Sequence, residues 1–317
     1  MHLGISDIWK DNIKKLLIIG GTGFIGKHLS REAVRQGYKT SVISLHKVIE
    51  TESIDSVNYL TCDVTNCDEL KNILVDQPFT HVVNLGGYIN HAKFKSGGRD
   101  LLDTHYLGVE NLIEVLDWGI LKSFVQIGSS DEYGDTAAPQ CENNKEEPIS
   151  PYSMGKLAAG QLLQMLNRTE GFPAVILRLF LVYGPGQNNQ RFLPQIIEGC
   201  LNGKSFSSSH GQQLRDFCYI EDVVHGIILA LENPDVLGHV INLASGEPVK
   251  IRTVIEKVVH IIGSGMPEYG NVPYRVGENM ALYADITKAK KILNWQPKKS
   301  LSDGLAITIK SYMNDNE

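Results

Sequence analysis

Several features that mark specialised proteins are missing from this sequence. Its five cysteines (Cys62, Cys67, Cys141, Cys200 and Cys218) form no CxxC pair and no zinc spacing. That excludes a zinc ribbon and a disulfide scaffold, and they read as free thiols of a reducing cytoplasm. The ten histidines contain no HExxH or similar cluster, so no metal site is expected. Lysine and arginine number 30 against 36 acidic residues. The net charge of −6 offers no basic field to nucleic acid. No apolar run approaches the roughly 18–20 residues that span a bilayer, so no membrane role is expected, and MHLGISDIWKDNIKK lacks the apolar stretch of a signal peptide. What remains is an ordinary globular composition, 42% hydrophobic and 21% charged over 317 residues. That length allows a large core and about two domains.

After a polar lead-in of 14 residues, short apolar runs alternate with amphipathic stretches. Lys15–Ile19, Thr40–Ser44, Val57–Cys62, His81–Leu85, Phe124–Ile127 and Ala174–Arg178 read as strands. Phe24–Gln36, Cys67–Val75, Thr104–Trp118 and Tyr152–Thr169 read as helices, the last stopped by Gly171. This rhythm predicts an α/β fold, a Rossmann-type doubly wound parallel sheet. After Gly184 segments rich in Gly, Pro, Asn and Ser interrupt shorter elements, and a terminal helix begins near Ser302-Asp303. The expected division is a dinucleotide-binding domain over 1–184 and a smaller C-terminal α/β lobe over 185–317, with segments at about 215–244 returning to the first sheet.

GGTGFIG (20–26) lies between the first strand and the first helix, with Gly20, Gly23 and Gly26 at GxxGxxG spacing. Glycines admit a pyrophosphate close to the backbone, and the helix N-terminus favours its charge. The overlapping GxxxxGK from Gly21 to Lys27 is followed by His28 rather than Ser or Thr, so a magnesium-holding P-loop is discarded. A dinucleotide specific for NAD usually meets Asp or Glu at the end of the second strand. Here that place holds Ser44, followed by His46 and Lys47. The absence of a repelling carboxylate and the presence of these two side chains favour NADP, with NAD still possible. Asp63 is placed to accept from the adenine amino group, or is a turn residue.

PYSMGK (151–156) sets Tyr152 and Lys156 four apart, on one face of a helix. A free tyrosine is a poor acid–base catalyst near pH 7, and a neighbouring ammonium favours its phenolate. The stretch GSSDEYGD (128–135) adds two hydroxyls, Ser129 and Ser130, and two carboxylates, Asp131 and Glu132, after a strand.

With these motifs in order, together with LRLFLVYGPGQ (177–187), RDFCYIEDVV (215–224), INLASGEPV (241–249) and ADITKAKKILNWQP (284–297), the chain resembles the extended short-chain dehydrogenases/reductases of the nucleotide-sugar epimerase/dehydratase/reductase group. The resemblance runs from about residue 15 to 315. It implies Ser129, Tyr152 and Lys156 as the catalytic set, with Ser129 bonding the sugar oxygen beside Tyr152. It implies dinucleotide contacts from Gly20, Gly23, Phe24, Ile25, Gly26, Ser44, His46, Lys47, Asp63, Val64, Leu85, Gly86 and Gly87, besides Tyr152 and Lys156. Ser130, Asp131, Arg191, Arg215 and Arg275 are the implied substrate contacts, the arginines gripping a nucleotide diphosphate through their planar forks. Asp131 falls on the acidic position of a dehydratase in the gap-free reading, as a shorter acid or merely a loop carboxylate. Sliding by one residue makes Ser130-Asp131-Glu132 imitate a dehydratase motif.

Departures from the family pattern are Leu181, where an Asn is common before Val-Tyr-Gly-Pro, and His105, where an Asn is common on the helix. The stretch 86–98 is also unusual, with Tyr88, His91 and Lys93 as candidate substrate contacts. The main expectation is NADPH-dependent reduction of a 4-keto nucleotide-diphosphate sugar of the 6-deoxyhexose or heptose type, in deoxysugar, lipopolysaccharide or capsule biosynthesis. Alternatives are an NAD-dependent C4 epimerase, a 4,6-dehydratase motivated by Asp131 and Glu132, and a non-catalytic dinucleotide sensor. A cytoplasmic homodimer pairing through helices 104–118 and 152–169 is implied by analogy.

Overall fold

The computed structural model describes residues 14–274 and 278–314. Arg275 and nearly all of the N-terminal lead-in therefore lie outside the described residues. The strands are β1 (Lys15–Ile19), β2 (Lys39–Ser44), β3 (Val57–Thr61), β4 (His81–Asn84), β5 (Ser123–Ser129), β6 (Ala174–Leu179), β7 (Leu181–Tyr183), β8 (Ser205–Ser208), β9 (Leu214–Tyr219), β10 (Val240–Leu243), β11 (Pro248–Lys250), β12 (Met266–Tyr269) and β13 (Ala281–Leu282). The central sheet has seven strands in the order β10-β6-β5-β4-β1-β2-β3, the doubly wound α/β arrangement expected from the sequence. β1 pairs in parallel with β2 on one side and β4 on the other, Ile19 standing opposite Ile43 and Asn84. The strand order reverses at β1, so the ends of β1 and β4 form the crevice where ligands of such sheets bind.

The sequence explains this sheet. Strands covered on both faces need continuous apolar runs rather than alternation, and Leu16, Leu17, Ile18, Val82, Val83, Phe124 and Val125 are all fully buried. Each such side chain contributes roughly 1.5–3 kcal/mol of transfer free energy. Helix Pro151–Glu170 starts with a Ser150 cap that accepts from the Ser153 amide, carries proline at its first position, and stops at Gly171 in the left-handed conformation (φ 74°).

One helix departs from expectation. In place of a start at Thr104, helix begins at Gly98, behind Gly97 at φ 96°, and runs to Leu102. A π-helical turn, Asp103–Leu107, follows, then helix again over Gly108–Val115. Two glycines at the start mask the helical signal, because glycine is a poor helix former read by propensity alone.

The chain divides into two compact units. The first comprises the described residues up to Ile127 with Ser150–Ile176 and Ala230–His239. The second comprises Gly128–Ile149, Leu177–Leu229 and the described residues from Val240 onward. Within the second, β9 lies between β11 and β13 and also pairs with β7, while β12 pairs with β8. Its core gathers Tyr133, Phe180, Ala244, Ala284 and Ile286. Two carboxylates tie its distant motifs together. Asp216 is fully buried and accepts from the Ser245 amide and hydroxyl, both at 2.6 Å, and from the Gly246 amide. Asp222 accepts from the Lys298 and Lys299 amides at 3.0 Å, and its carbonyl takes the indole N–H of buried Trp295.

Candidate active site

In the first unit the glycine turn closes on itself and on two neighbouring strands. The Gly20 amide donates to the Ile43 carbonyl (2.8 Å) and the Gly23 amide to the Gly20 carbonyl (3.1 Å). Gly20 has φ +73°, which glycine adopts without strain. A Cβ on Gly26 would lie 2.5 Å from the Gly21 Cα and 2.6 Å from the Gly20 oxygen. The helix Phe24–Arg35 can therefore start this close to the turn only because position 26 has no side chain. Its first amides carry the positive end of the helix dipole. These residues fit a dinucleotide pyrophosphate: a cradle of bare backbone, a helix start, and the switch point of the sheet.

The loop after β4 continues the site. A Cβ on Gly20 would stand 3.1 Å from the Leu85 carbonyl carbon and 3.2 Å from the Gly86 Cα. Asn84 fixes this loop: its Oδ1 accepts from the Gly86 amide and its Nδ2 donates to Gln126, both at 2.9 Å. Gly87 in turn faces the His105 ring, where an added Cβ would lie 2.1 Å from Cε1. The His105 ring meets the Tyr152 ring edge to face, with centroids 5.0 Å apart. A continuous chain of contacts thus runs from Gly20 through Leu85, Gly86, Gly87 and His105 to Tyr152. His91, exposed on the same loop, approaches Tyr152 edge to face at 6.0 Å.

Tyr152 is 4% exposed and Lys156 5%. The Lys156 ammonium donates to the Ile127 carbonyl at 2.9 Å, so the end of β5 anchors it one helical turn from the phenol. His105 Nε2 bonds the Tyr88 carbonyl at 3.1 Å. Burial, reinforced by the Lys156 charge, pushes the His105 pKa down to about 3, so the imidazole is neutral at pH 7.

At the end of β2, the Ser44 hydroxyl donates to the His46 carbonyl at 2.8 Å. His46 and Lys47 are exposed. Asp63 Oδ1 accepts from the Thr65 amide and hydroxyl, an Asx-turn that shapes the exit of β3. The Val64 carbonyl accepts from Asn111 Nδ2, which fastens this loop to the helix Gly108–Val115.

The second unit carries Ser129, Ser130 and Asp131. Ser129 caps a 3₁₀ turn, its hydroxyl accepting from the Asp131 amide at 3.2 Å. Ser130 is buried and Asp131 partly exposed. Glu132 faces inward. It is 1% exposed, accepts from the Ser129 amide (2.7 Å), and pairs with Arg178 Nε at 2.8 Å. Arg178 also pairs with Glu146 at 2.6 Å and lies over the Tyr133 ring at 4.6 Å. The Tyr133 hydroxyl donates to Asn242. Glu132 therefore holds up the serine turn, and Asp131 is the partly exposed carboxylate of the two.

Arg215 is largely buried and pairs with Glu278. Arg191 is partly exposed at the start of helix Phe192–Leu201. Leu181 lies in β7 opposite Phe217.

A sequence model of the NAD dependent epimerase/dehydratase family matches residues 16–244. The chain belongs to this family. It is 29% identical to an uncharacterized UDP-glucose epimerase, YtcB, of Bacillus subtilis (strain 168), over 92% of this chain and 95% of that one. It is 28% identical to a UDP-glucuronate 4-epimerase of Thermodesulfobacterium geofontis (strain OPF15), over 92% and 94%. A dTDP-glucose 4,6-dehydratase of Haemophilus influenzae is 26% identical over 94% and 97%. Among solved structures, a UDP-glucuronic acid 4-epimerase from Bacillus cereus in complex with UDP-glucuronic acid and NAD is similar, with a TM-score of 0.83 and 28% identity. That match covers 95% of this chain and 99% of that one. The protein is thus an enzyme of the extended short-chain dehydrogenase/reductase type, in the group that works on nucleotide sugars.

Membership in the epimerase/dehydratase family accounts for the motifs but not for all their neighbours. Glu146 and Glu278, the partners of Arg178 and Arg215, left no signal in the sequence because each lies tens of residues from its arginine. The ring contact between His105 and Tyr152 had one available signal: a histidine where the family pattern has asparagine. Among the described residues no group of three His, Cys, Asp or Glu side chains is placed to hold a metal ion, and no helix is long and apolar enough to cross a membrane.

Proposed function

We propose that this protein is an NAD-linked C4 epimerase of a UDP-sugar. The observation that carries this reading is the contact chain that joins the dinucleotide-type glycine turn to a buried Tyr152, with Lys156 one helical turn away. The named 4-epimerases among its relatives supply the substrate class. Bound NAD supplies a hydride acceptor and then a hydride donor, and no other oxidant is needed. Tyr152 Oη would take the proton of the sugar C4 hydroxyl as the C4 hydride leaves, and would return it to the same oxygen when hydride comes back to C4 on the opposite face. Lys156 favours the phenolate by its charge. Ser129 Oγ bonds the reacting sugar oxygen, and Ser130 and Asp131 bond the ring substituents. Arg191, Arg215 and Arg275 hold the diphosphate, bidentate where geometry allows. Gly20, Gly23 and Gly26 with Phe24, Ile25, Val64, Leu85, Gly86 and Gly87 line the dinucleotide. We further propose a homodimer built on helices Gly108–Val115 and Pro151–Glu170, whose shared surface groove includes Ile113, Trp118, Leu162 and Leu166.

A second reading, NADPH-dependent reduction of a 4-keto nucleotide sugar, is favoured by one observation. The end of β2 presents Ser44, His46 and Lys47 with no carboxylate among them. One experiment separates the two. Mass spectrometry identifies the dinucleotide released from purified protein, and NMR follows UDP-sugars incubated with it. Retained NAD and C4 inversion without added cofactor support the epimerase. No retained NAD, no inversion, and loss of 340 nm absorbance with NADPH and a 4-keto sugar nucleotide would replace it by the reductase.

A further inference from the structure

His105 sits on the π-helical turn Asp103–Leu107. Such single turns interrupt α-helices mostly at functional sites, because the extra residue re-aims a side chain. The ring occupies a slot that two glycines keep open. A Cβ on Gly87 would lie 2.1 Å from its Cε1, and one on Gly155 would lie 3.0 Å from its Cβ. The side chain is 3% exposed. Its Nε2 is committed to the Tyr88 carbonyl at 3.1 Å, while Nδ1 is buried without a hydrogen-bond partner. Mere filling of the slot does not require this arrangement, since phenylalanine would fill it without leaving a buried acceptor unpaired. The ring instead stands T-shaped against Tyr152, and the loop that His105 bonds through Tyr88 also carries His91, the second ring against Tyr152.

We propose that His105 is a positioning residue for the reaction described above: a neutral imidazole, fixed in its Nε2–H tautomer, that seats the Tyr152 phenol and ties the loop after β4 to it. The Tyr88 carbonyl accepts only from a protonated Nε2, which leaves the lone pair on Nδ1. Neutrality matters at this position. A charged His105 would add a second cation near Tyr152 besides Lys156 and disturb the balance that sets the phenol's proton affinity. The depression of its pKa by burial and by Lys156 is consistent with that role.

The proposal rests on the epimerase reading for its activity readout, and a second readout is independent of it. His105→Phe keeps a ring and removes the bond to Tyr88; His105→Asn removes the ring. In both, kcat for the UDP-sugar falls by about tenfold or more, a share of the usual worth of acid–base catalysis. KM stays within about threefold and retained dinucleotide is unchanged. The acid limb of the kcat profile moves to higher pH, because a phenol no longer seated beside the Lys156 ammonium gives up its proton less readily. A folded His105→Phe variant with wild-type kcat and pH profile would reduce His105 to packing and overturn the proposal. If neither variant folds, ¹⁵N NMR of the wild-type imidazole decides. The proposal requires the neutral Nε2–H tautomer from pH 8 down to at least about pH 5; an Nδ1–H tautomer, or protonation near the ordinary histidine value, overturns it. If the wild-type protein turns over no UDP-sugar, the epimerase reading fails while the NMR result still tests His105.

Discussion

Gly26 has no room for a methyl group, since the atoms in the way are backbone atoms of Gly20 and Gly21. Gly26→Ala therefore has to push the turn open. The expected result is dinucleotide binding weakened by about tenfold or more, the scale of 1.4 kcal/mol, measured by calorimetric titration with NAD. Tyr152→Phe tests the phenol alone. It preserves the ring and its contacts with His91 and His105, so dinucleotide retention should persist while kcat falls by about 10²–10⁴-fold. Asp131 separates reaction types. Asp131→Asn should leave C4 inversion within about fivefold, because inversion needs only the tyrosine as acid–base group. Complete loss of turnover in that variant, with binding intact, would return the dehydratase to consideration.

The 3₁₀ turn after β5 shows how a short element is made rigid enough to present a hydroxyl. Glu132 closes a capping box with Ser129 and neutralises Arg178, and Arg178 reaches on to Glu146 and across Tyr133. A buried charge pair adds little net stability, yet removing one partner strands the other. Glu132→Ala should cost about 3–5 kcal/mol in urea unfolding, toward the lower end because Glu146 still faces Arg178. Glu146→Ala should cost less, because water reaches the partly exposed Glu146 side chain and screens its pairing with Arg178. The helical segment 98–115 makes the complementary point: its π turn, rather than any strong helix former, sets the direction of His105.

For the whole molecule, two buried imidazoles make stability depend on acidity. Burial pushes His81 down to about 4 and His105 to about 3, from an ordinary value near 6.5. Above that value both are neutral in the folded and unfolded chain, and their contribution is whole. As the pH falls below it, the unfolded chain binds protons that the folded chain refuses. Stability then drops by about 1.4 kcal/mol per pH unit for each histidine, until its folded value is reached. Urea midpoints should therefore fall steeply between pH 6.5 and pH 4, and His105→Asn should make the slope shallower.

Much of the fold was legible because its signals are local: apolar runs for strands covered on both faces, glycines at the turn, proline and serine opening the long helix. The tyrosine–lysine pair was legible for the same reason, since Tyr152 and Lys156 are one helical turn apart. Local signals erred where glycine opened a helix at Gly98, and where two adjacent carboxylates looked alike in sequence. Only packing distinguished them: Glu132 turns inward to Arg178, 46 residues away, whereas Asp131 remains partly exposed. By itself the sequence determined a parallel sheet, a glycine turn at the head of the first helix and a tyrosine–lysine pair. Tertiary structure alone decided what surrounds the phenol, because His91, His105 and the Gly87 slot meet Tyr152 through contacts between chain segments about 50–65 residues apart, a separation that no periodicity encodes.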